Sequence, residues 1–244
     1  MFRRWWFLGL LRAPQRTAPP PTRRELREQQ ALLIGEWEVL RERLRTLAAD
    51  RVTAAGTVFR AAELRLSAAE SAAHRSYQWA LEAYEAAGRL LDQADAPETD
   101  LPDLAAAVVL AEQAVERLAA AHALHAGQRP EPPAVRCYYN PLHGPAGHQP
   151  TRKGKKARQR PTHTAREAAA DRRPACPSCR RAILAGQQPD VLPALLPAKP
   201  GPTLVPYYTV PQQWSPWSTT ACGAYDPTTP ALILRGAHRR HPPR

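Results

Sequence analysis

The chain has 244 residues, 27 of them proline, and a formal net charge of +12. With three phenylalanines, one methionine and a largely alanine-based apolar content, it favours long helices packed along a narrow seam over a thick globular core. Four cysteines in a chain of this length are too few for a disulfide scaffold. We therefore expect a cytoplasmic protein whose cysteines bind a metal, with a redox pair at Cys176 and Cys179 as the alternative.

Residues 1–22 combine a basic, tryptophan-rich start with a proline-rich spacer. The apolar run Trp5–Leu11 has seven residues, whereas a membrane-spanning helix needs roughly 20. Arg12 follows at once and no small-residue cleavage site does, so we do not predict a secretory signal. Residues 1–12 could instead rest peripherally on an anionic membrane surface, or form a frayed tail.

Residues 23–128 are predicted to form a helical coiled coil or antiparallel hairpin. Strong helix formers dominate, and no proline occurs between Arg23 and Pro97. Apolar or small residues repeat at alternating steps of four and three, which is typical of a helix seam. The three stripes are Leu33, Trp37, Leu40, Leu44 and Leu47; Tyr77, Leu81, Tyr84, Gly88 and Leu91; and Leu104, Val108, Ala111, Val115, Leu118, His122 and His125. We expect this seam to bind a partner protein or a second copy of the chain.

Local signals predict where these helices end. Gly56 lies where the first stripe thins, which indicates a kink or a helix boundary. Asp100 offers an N-cap after the turn at 95–100, and Asp103 follows near the positive end of the new helix. Because the connection is short, the helices on either side of it should pack antiparallel. Gly127 is expected to close the last helix.

Residues 129–186 are predicted to form a small, irregular, zinc-ribbon-like module. Cys137 and His143 form one pair of candidate metal ligands. Cys176 and Cys179 form a second pair, separated by two residues as in a zinc knuckle. Three thiols and an imidazole can complete a tetrahedral shell, so we predict a structural Zn²⁺. Cys222 could replace His143 as a ligand; the looser alternatives are His148 and His163. The competing interpretation is that the cysteines are buried packing residues and His143 is a turn histidine.

Two further interpretations of this module stay open. A thiol-dependent enzyme at Cys137 and His143 would need an orienting group and an oxyanion hole, which the sequence does not reveal, so we predict neither an enzyme nor a small-molecule substrate. Residues 129–182 carry a net charge of +10, concentrated in a basic block within an insert at about 149–172. This block would bind nucleic acid non-specifically or form a solvated loop, and its cations are Arg152, Lys153, Lys155, Lys156, Arg158 and Arg160.

The remainder, residues 187–244, is predicted to contain a proline-rich linker at 187–203, an aromatic segment and a disordered basic tail. The helical turns expected at Arg180–Ala185 precede the linker. The aromatic residues of the segment are Tyr207, Tyr208, Trp214 and Trp217, which we expect to form a small satellite core.

These motifs resemble a group of uncharacterised actinobacterial proteins over roughly Ser76–Leu234. That group has an alanine-rich helical region, then a Cys-aromatic-aromatic-Asn/Asp-Pro-x-His-Gly motif, a Pro-x-Cys motif and a C-terminal Tyr/Trp/Gly segment. The matching positions here are Cys137, Asn140, Pro141, His143, Gly144, Pro174, Cys176, Tyr207, Tyr208 and Gly223. The resemblance implies no activity. We therefore predict a mainly α protein that acts as a non-enzymatic scaffold or adaptor with a zinc-stabilised module.

Overall fold

The computed structural model of the protein describes residues 23–62, 71–96, 99–146, 173–197 and 201–238. The predictions for the N-terminal segment 1–22, the basic block at 152–160, His148, His163 and the tail at 239–244 lie outside these residues. Within them the fold is mainly α, as predicted. Its helices are α1 (Arg23–Ala61), α2 (Ala72–Asp92), α3 (Leu101–His125), α4 (Pro177–Leu184), α5 (Trp217–Thr220) and α6 (Thr229–Leu234). None of the helices so described has the length and apolar character needed to cross a membrane.

The three long helices pack side by side with α3 at the centre. Ser76, near the start of α2, donates to the carbonyl of Arg117, near the end of α3, so these helices are antiparallel, as predicted. Arg51 of α1 pairs with Glu112 of α3, while Trp37 contacts Asp100 before the start of α3. Helix α1 therefore runs in the same direction as α3.

The turn before α3 has the predicted cap. Asp100 caps the helix, and the Asp103 carboxylate accepts from the Asp100 backbone N–H at 2.8 Å, which completes a capping box. The Asp100 carboxylate also accepts from the Trp37 indole at 3.0 Å and from the backbone N–H of Leu195 at 2.7 Å. One side chain thus links α1, α3 and the C-terminal segment. Gly127 adopts a left-handed φ of 70° just after α3, consistent with its predicted role in ending the helix.

The buried face of α2 differs from the predicted stripe. Leu81, a member of that stripe, is 40% exposed, and the buried seam lies one residue earlier, at Ser76, Ala80, Ala83, Ala87 and Leu90. These residues keep the four-three spacing but most are alanine, so the backbones of α2 and α3 can approach closely. The predicted stripe follows the larger side chains of α2, whereas the buried face consists mainly of alanine, so the predicted face is wrong. The first stripe is confirmed, because Trp37, Leu40 and Leu44 are buried in the core.

Gly56 does not end a helix. Helix α1 continues through it to Ala61, so the predicted boundary is wrong. An added Cβ at Gly56 would lie 2.6 Å from the hydroxyl oxygen of Tyr84. The glycine therefore serves the close approach of α1 and α2.

The C-terminal segment packs on the helices. Part of the predicted linker forms β1 (Pro193–Leu196), which pairs antiparallel with β2 (Thr203–Pro206). Tyr207 and Trp217 are buried in the same core as α1–α3, so the expected satellite core is wrong for these two residues. The Trp217 indole donates to the Asp103 carboxylate at 2.7 Å. The expected turns after Cys179 are confirmed in α4.

Candidate metal centre

The first pair of predicted ligands lies on a tight loop fixed to α3. Arg136, which is 6% exposed, forms ion pairs with Glu112 and Glu116 of that helix. The loop closes where Arg136 and Pro145 form an isolated antiparallel bridge. Cys137 therefore begins the loop at a position set by the helical core.

Asn140 shapes the loop between the two ligands. Its side-chain oxygen accepts from the backbone N–H of Leu142 at 3.1 Å, and its carbonyl accepts from that of His143 at 3.1 Å. Pro141 begins the resulting 3-10 turn, Pro141–His143, and Gly144 follows with a φ of 78°. This turn brings the imidazole back toward the Cys137 thiol, as the Pro and Gly positions predicted.

The second pair begins α4. Cys176 is the N-cap of this helix, and its sulfur accepts from the backbone N–H of Cys179 at 3.5 Å. The hydroxyl of Ser178 lies 3.0 Å from the same sulfur. Such N–H and O–H contacts stabilise a thiolate, the form in which cysteine binds a metal.

The two pairs converge on one point. Each of Cys137, His143, Cys176 and Cys179 offers one ligand atom, and these atoms all lie within 4.8 Å of one another. His143 Nδ1 lies 3.3 Å from the Cys179 sulfur and 3.5 Å from the Cys176 sulfur. The four residues could hold a metal ion.

The donor set matches the requirements of a tetrahedral ion. Zn–S bonds of about 2.3 Å place two sulfurs about 3.8 Å apart in a tetrahedron. This distance is below the 4.8 Å that limits the separations of the four ligand atoms. Cys137, Cys176 and Cys179 are each at most 3% exposed, and none forms a disulfide. The site therefore presents three buried thiols and the partly buried imidazole of His143, which together could fill a tetrahedral shell.

Asp190 holds the other side of the histidine ring. Its Oδ2 lies 3.1 Å from His143 Nε2, so a proton on Nε2 leaves Nδ1 free to face the sulfurs. Metal-bound histidines commonly donate their second N–H to a carboxylate in this way. Sequence reasoning did not identify Asp190, because no spacing rule connects a residue after the cysteine pair with a histidine 47 positions before it.

The electrostatics of the cluster favour a thiolate at Cys137. A hydrogen bond from the Cys179 thiol, aided by His143, holds the pKa of Cys137 well below its usual range. The same hydrogen bond raises the pKa of Cys179. Burial lowers the pKa of His143, but its hydrogen bond to Asp190 and its contact with Cys137 outweigh that effect and raise the pKa to about 10. A metal that binds here must displace protons from the remaining thiols and from Nδ1.

Tyrosine rings enclose the thiols. Tyr139 and Val191 pack with the three cysteines in a small buried cluster that Tyr208 borders. Arg173 lies over the Tyr138 ring, with its guanidinium carbon 4.6 Å from the ring centroid. The backbone N–H of Tyr138 donates to the carbonyl of Pro174 at 2.7 Å and so joins the two ligand-bearing segments.

Cys222, the alternative ligand, lies elsewhere. It is fully buried in the helical core and adopts a left-handed φ of 55°. Burial, with the nearby carboxylates of Asp103 and Asp100, raises the pKa of this thiol. Among the described residues it does not join the group of convergent ligand atoms.

Comparison with family models, with curated proteins and with solved structures found no match to this chain. The resemblance to actinobacterial proteins therefore stays a prediction. The site has to be interpreted from its own geometry.

Proposed function

We propose that Cys137, His143, Cys176 and Cys179 bind one structural Zn²⁺ in a non-enzymatic scaffold or adaptor. The observation that carries this proposal is the convergence of four donor atoms, each within 4.8 Å of the others, in a buried site. Cysteine and histidine are the donors typical of structural zinc, and a shell of four protein ligands is typical of structural rather than catalytic ions.

The ion would supply stability where burial cannot. Among the described residues, the hydrophobic cluster around the ligands contains five buried residues, and three of these are the cysteines. A metal would link the loop after Arg136 to α4, and structural zinc contributes on the order of 10 kcal/mol in small zinc domains. The proposed role of the ion is therefore to fix this module on the helical core.

Zinc content tests the proposal. We expect about one zinc per chain in the purified protein by elemental analysis, and none in a Cys176→Ser/Cys179→Ser variant. Cys222→Ala is the matched control, because it removes a buried thiol that lies outside the cluster. Zinc that persists in the double variant, or disappears in Cys222→Ala, would contradict the proposed ligand set.

A thiol-dependent enzyme at Cys137 and His143 is the second candidate, since Asp190 supplies the orienting group that the sequence did not reveal. A nucleophile needs access to its substrate, yet Cys137 and Cys179 are at most 1% exposed. Rapid, selective alkylation of one of these thiols in the zinc-loaded protein would favour the enzyme. We expect alkylation only after the metal has been removed.

The scaffold role depends on which helix faces stay accessible. Trp37, Leu40 and Leu44 pack within the chain, so the predicted seam serves the fold itself. On α1, Leu32 is 70% exposed and Val39, seven residues later, is 53% exposed. We propose that this outer face mediates self-association, which sedimentation of the protein over a range of concentrations tests.

A further inference from the structure

We propose that Asp190 is a positioning residue for the metal: it selects Nδ1 of His143 as the ligand atom and thereby sets the affinity of the site. This inference rests on the proposed zinc site and goes beyond its four ligands. The 3.1 Å contact between Asp190 Oδ2 and His143 Nε2 carries it.

Two geometric facts fix the roles of the ring nitrogens. Nδ1 lies 3.3 Å from the Cys179 sulfur, on the side of the ring where the thiols converge. Nε2 lies against a carboxylate, which accepts a hydrogen bond and cannot donate one when ionised. The proton therefore belongs on Nε2, and the lone pair of Nδ1 is directed to the metal.

The helical core borders this hydrogen bond on one side. His143 and Asp190 line a small cavity of about 40 Å³ together with Leu40, Leu44 and Leu192. Leu40 and Leu44 belong to α1, so the helical core supplies an apolar wall beside the hydrogen bond. Exposed Arg43 lines the same cavity, and the side chains of His143 and Asp190 are 19% and 37% exposed, so the apolar wall shields the pair from water only in part.

The backbone holds Asp190 in place independently of its side chain. Its carbonyl lies 3.6 Å from the Cys179 sulfur. Two residues later, the N–H of Leu192 donates to the carbonyl of Tyr139 at 3.1 Å, within the loop that carries the first ligands. Leu192 is itself 1% exposed in the core, so removal of the carboxylate should leave the chain path intact.

Zinc affinity of two variants, measured by competition with a chromogenic chelator, tests the role of Asp190. We expect Asp190→Ala to bind zinc about 10- to 100-fold more weakly than the wild type, the usual loss when such a partner is removed. Asp190→Asn keeps a side-chain oxygen that accepts from Nε2–H, so it should recover part of the affinity. Asp95→Ala, which removes an exposed carboxylate that pairs with Arg45, should bind zinc as the wild type does.

A spectroscopic measurement separates positioning from general stability. With Co²⁺ in place of zinc, the wild type should show the ligand-field bands of a tetrahedral site, and Asp190→Ala should shift or weaken them. Unchanged bands and unchanged zinc affinity in Asp190→Ala would overturn the inference while leaving the zinc site standing. Equal losses in Asp190→Asn and Asp190→Ala would also overturn it. Absence of zinc from the wild type would instead refute the proposed function itself.

Discussion

The helical core and the Cys/His module are held together in different ways. Between α2 and α3, alanines such as Ala80, Ala83 and Ala87 are fully buried, so the core gains its stability from close backbone approach over many residues. Around Cys137 and Cys179 the part of the chain that the structure describes provides a small apolar cluster, and the segments are joined by polar contacts and by four convergent side chains that could bind a metal. Burial distributes stability over the whole core, whereas the proposed metal would concentrate it at one point.

Removal of the metal should give the largest difference between the two regions, measured as hydrogen-exchange protection. Treating the protein with a high-affinity zinc chelator should abolish the hydrogen-exchange protection of the amides at 135–146 and 173–192, because the metal joins these segments. Protection in α2 and α3 should remain, since their packing does not involve the ligands. Hydrogen exchange read by mass spectrometry measures both regions in one sample. Equal loss of protection in both would mean that the module and the core form one cooperative unit.

Overpacking the contact between α2 and α3 should instead destabilise the helical core. Ala87→Leu places a large side chain at a fully buried position of α2 and should lower the free energy of unfolding by about 1–3 kcal/mol. Ala119→Leu, at an exposed position of α3, is the control and should change it by less than about 0.5 kcal/mol. Chemical denaturation measures both values. If Ala87→Leu costs no more than Ala119→Leu, the close packing of α2 on α3 is not what stabilises the core.

The buried carboxylate at the start of α3 gives the core a pH dependence of its own. Burial raises the pKa of Asp100 from its usual 3.8 to about 7, despite hydrogen bonds from Leu195, Leu101 and Trp37. Between about pH 4 and pH 7 the folded state then keeps a proton that the unfolded state has lost. This contribution to stability is complete below the unfolded pKa and declines as pH rises through that window.

The variant Asp100→Asn isolates this contribution. Its unfolding free energy should fall less steeply from pH 4 to pH 7 than that of the wild type, because the titrating group is gone. Any effect of metal binding on the pH dependence is common to both proteins and cancels in the difference. Parallel pH profiles of the two proteins would show that Asp100 is ionised throughout the window.

Features that depend on neighbouring residues could be predicted from the sequence. The cap at Asp100, the end of α3 near Gly127 and the short helix after Cys176 each follow from a few adjacent residues. The four donors were also named from spacing and residue type alone. Their spacing could not exclude Cys222, because whether side chains meet is decided by the path of the whole chain.

Features that depend on distant contacts could not be predicted. The buried face of α2 is marked by alanines, whose side chains offer less area for burial than those of Leu81 and Tyr84 beside them. The strand at Pro193–Leu196 lies among prolines and is recognisable only from its partner and from its contact with Asp100. The pairing of Asp190 with His143 likewise arises from the fold.

X-ray absorption at the zinc edge tests the central claim most directly. Purified wild-type protein should give about three sulfur neighbours at about 2.3 Å and one nitrogen at about 2.0–2.1 Å, as expected for Cys137, Cys176, Cys179 and His143. A shell of four sulfurs would place Cys222 or another thiol in the site instead of His143. Each of three results would contradict the proposed structural zinc site: a shell of four sulfurs, a shell dominated by oxygen, or the absence of zinc.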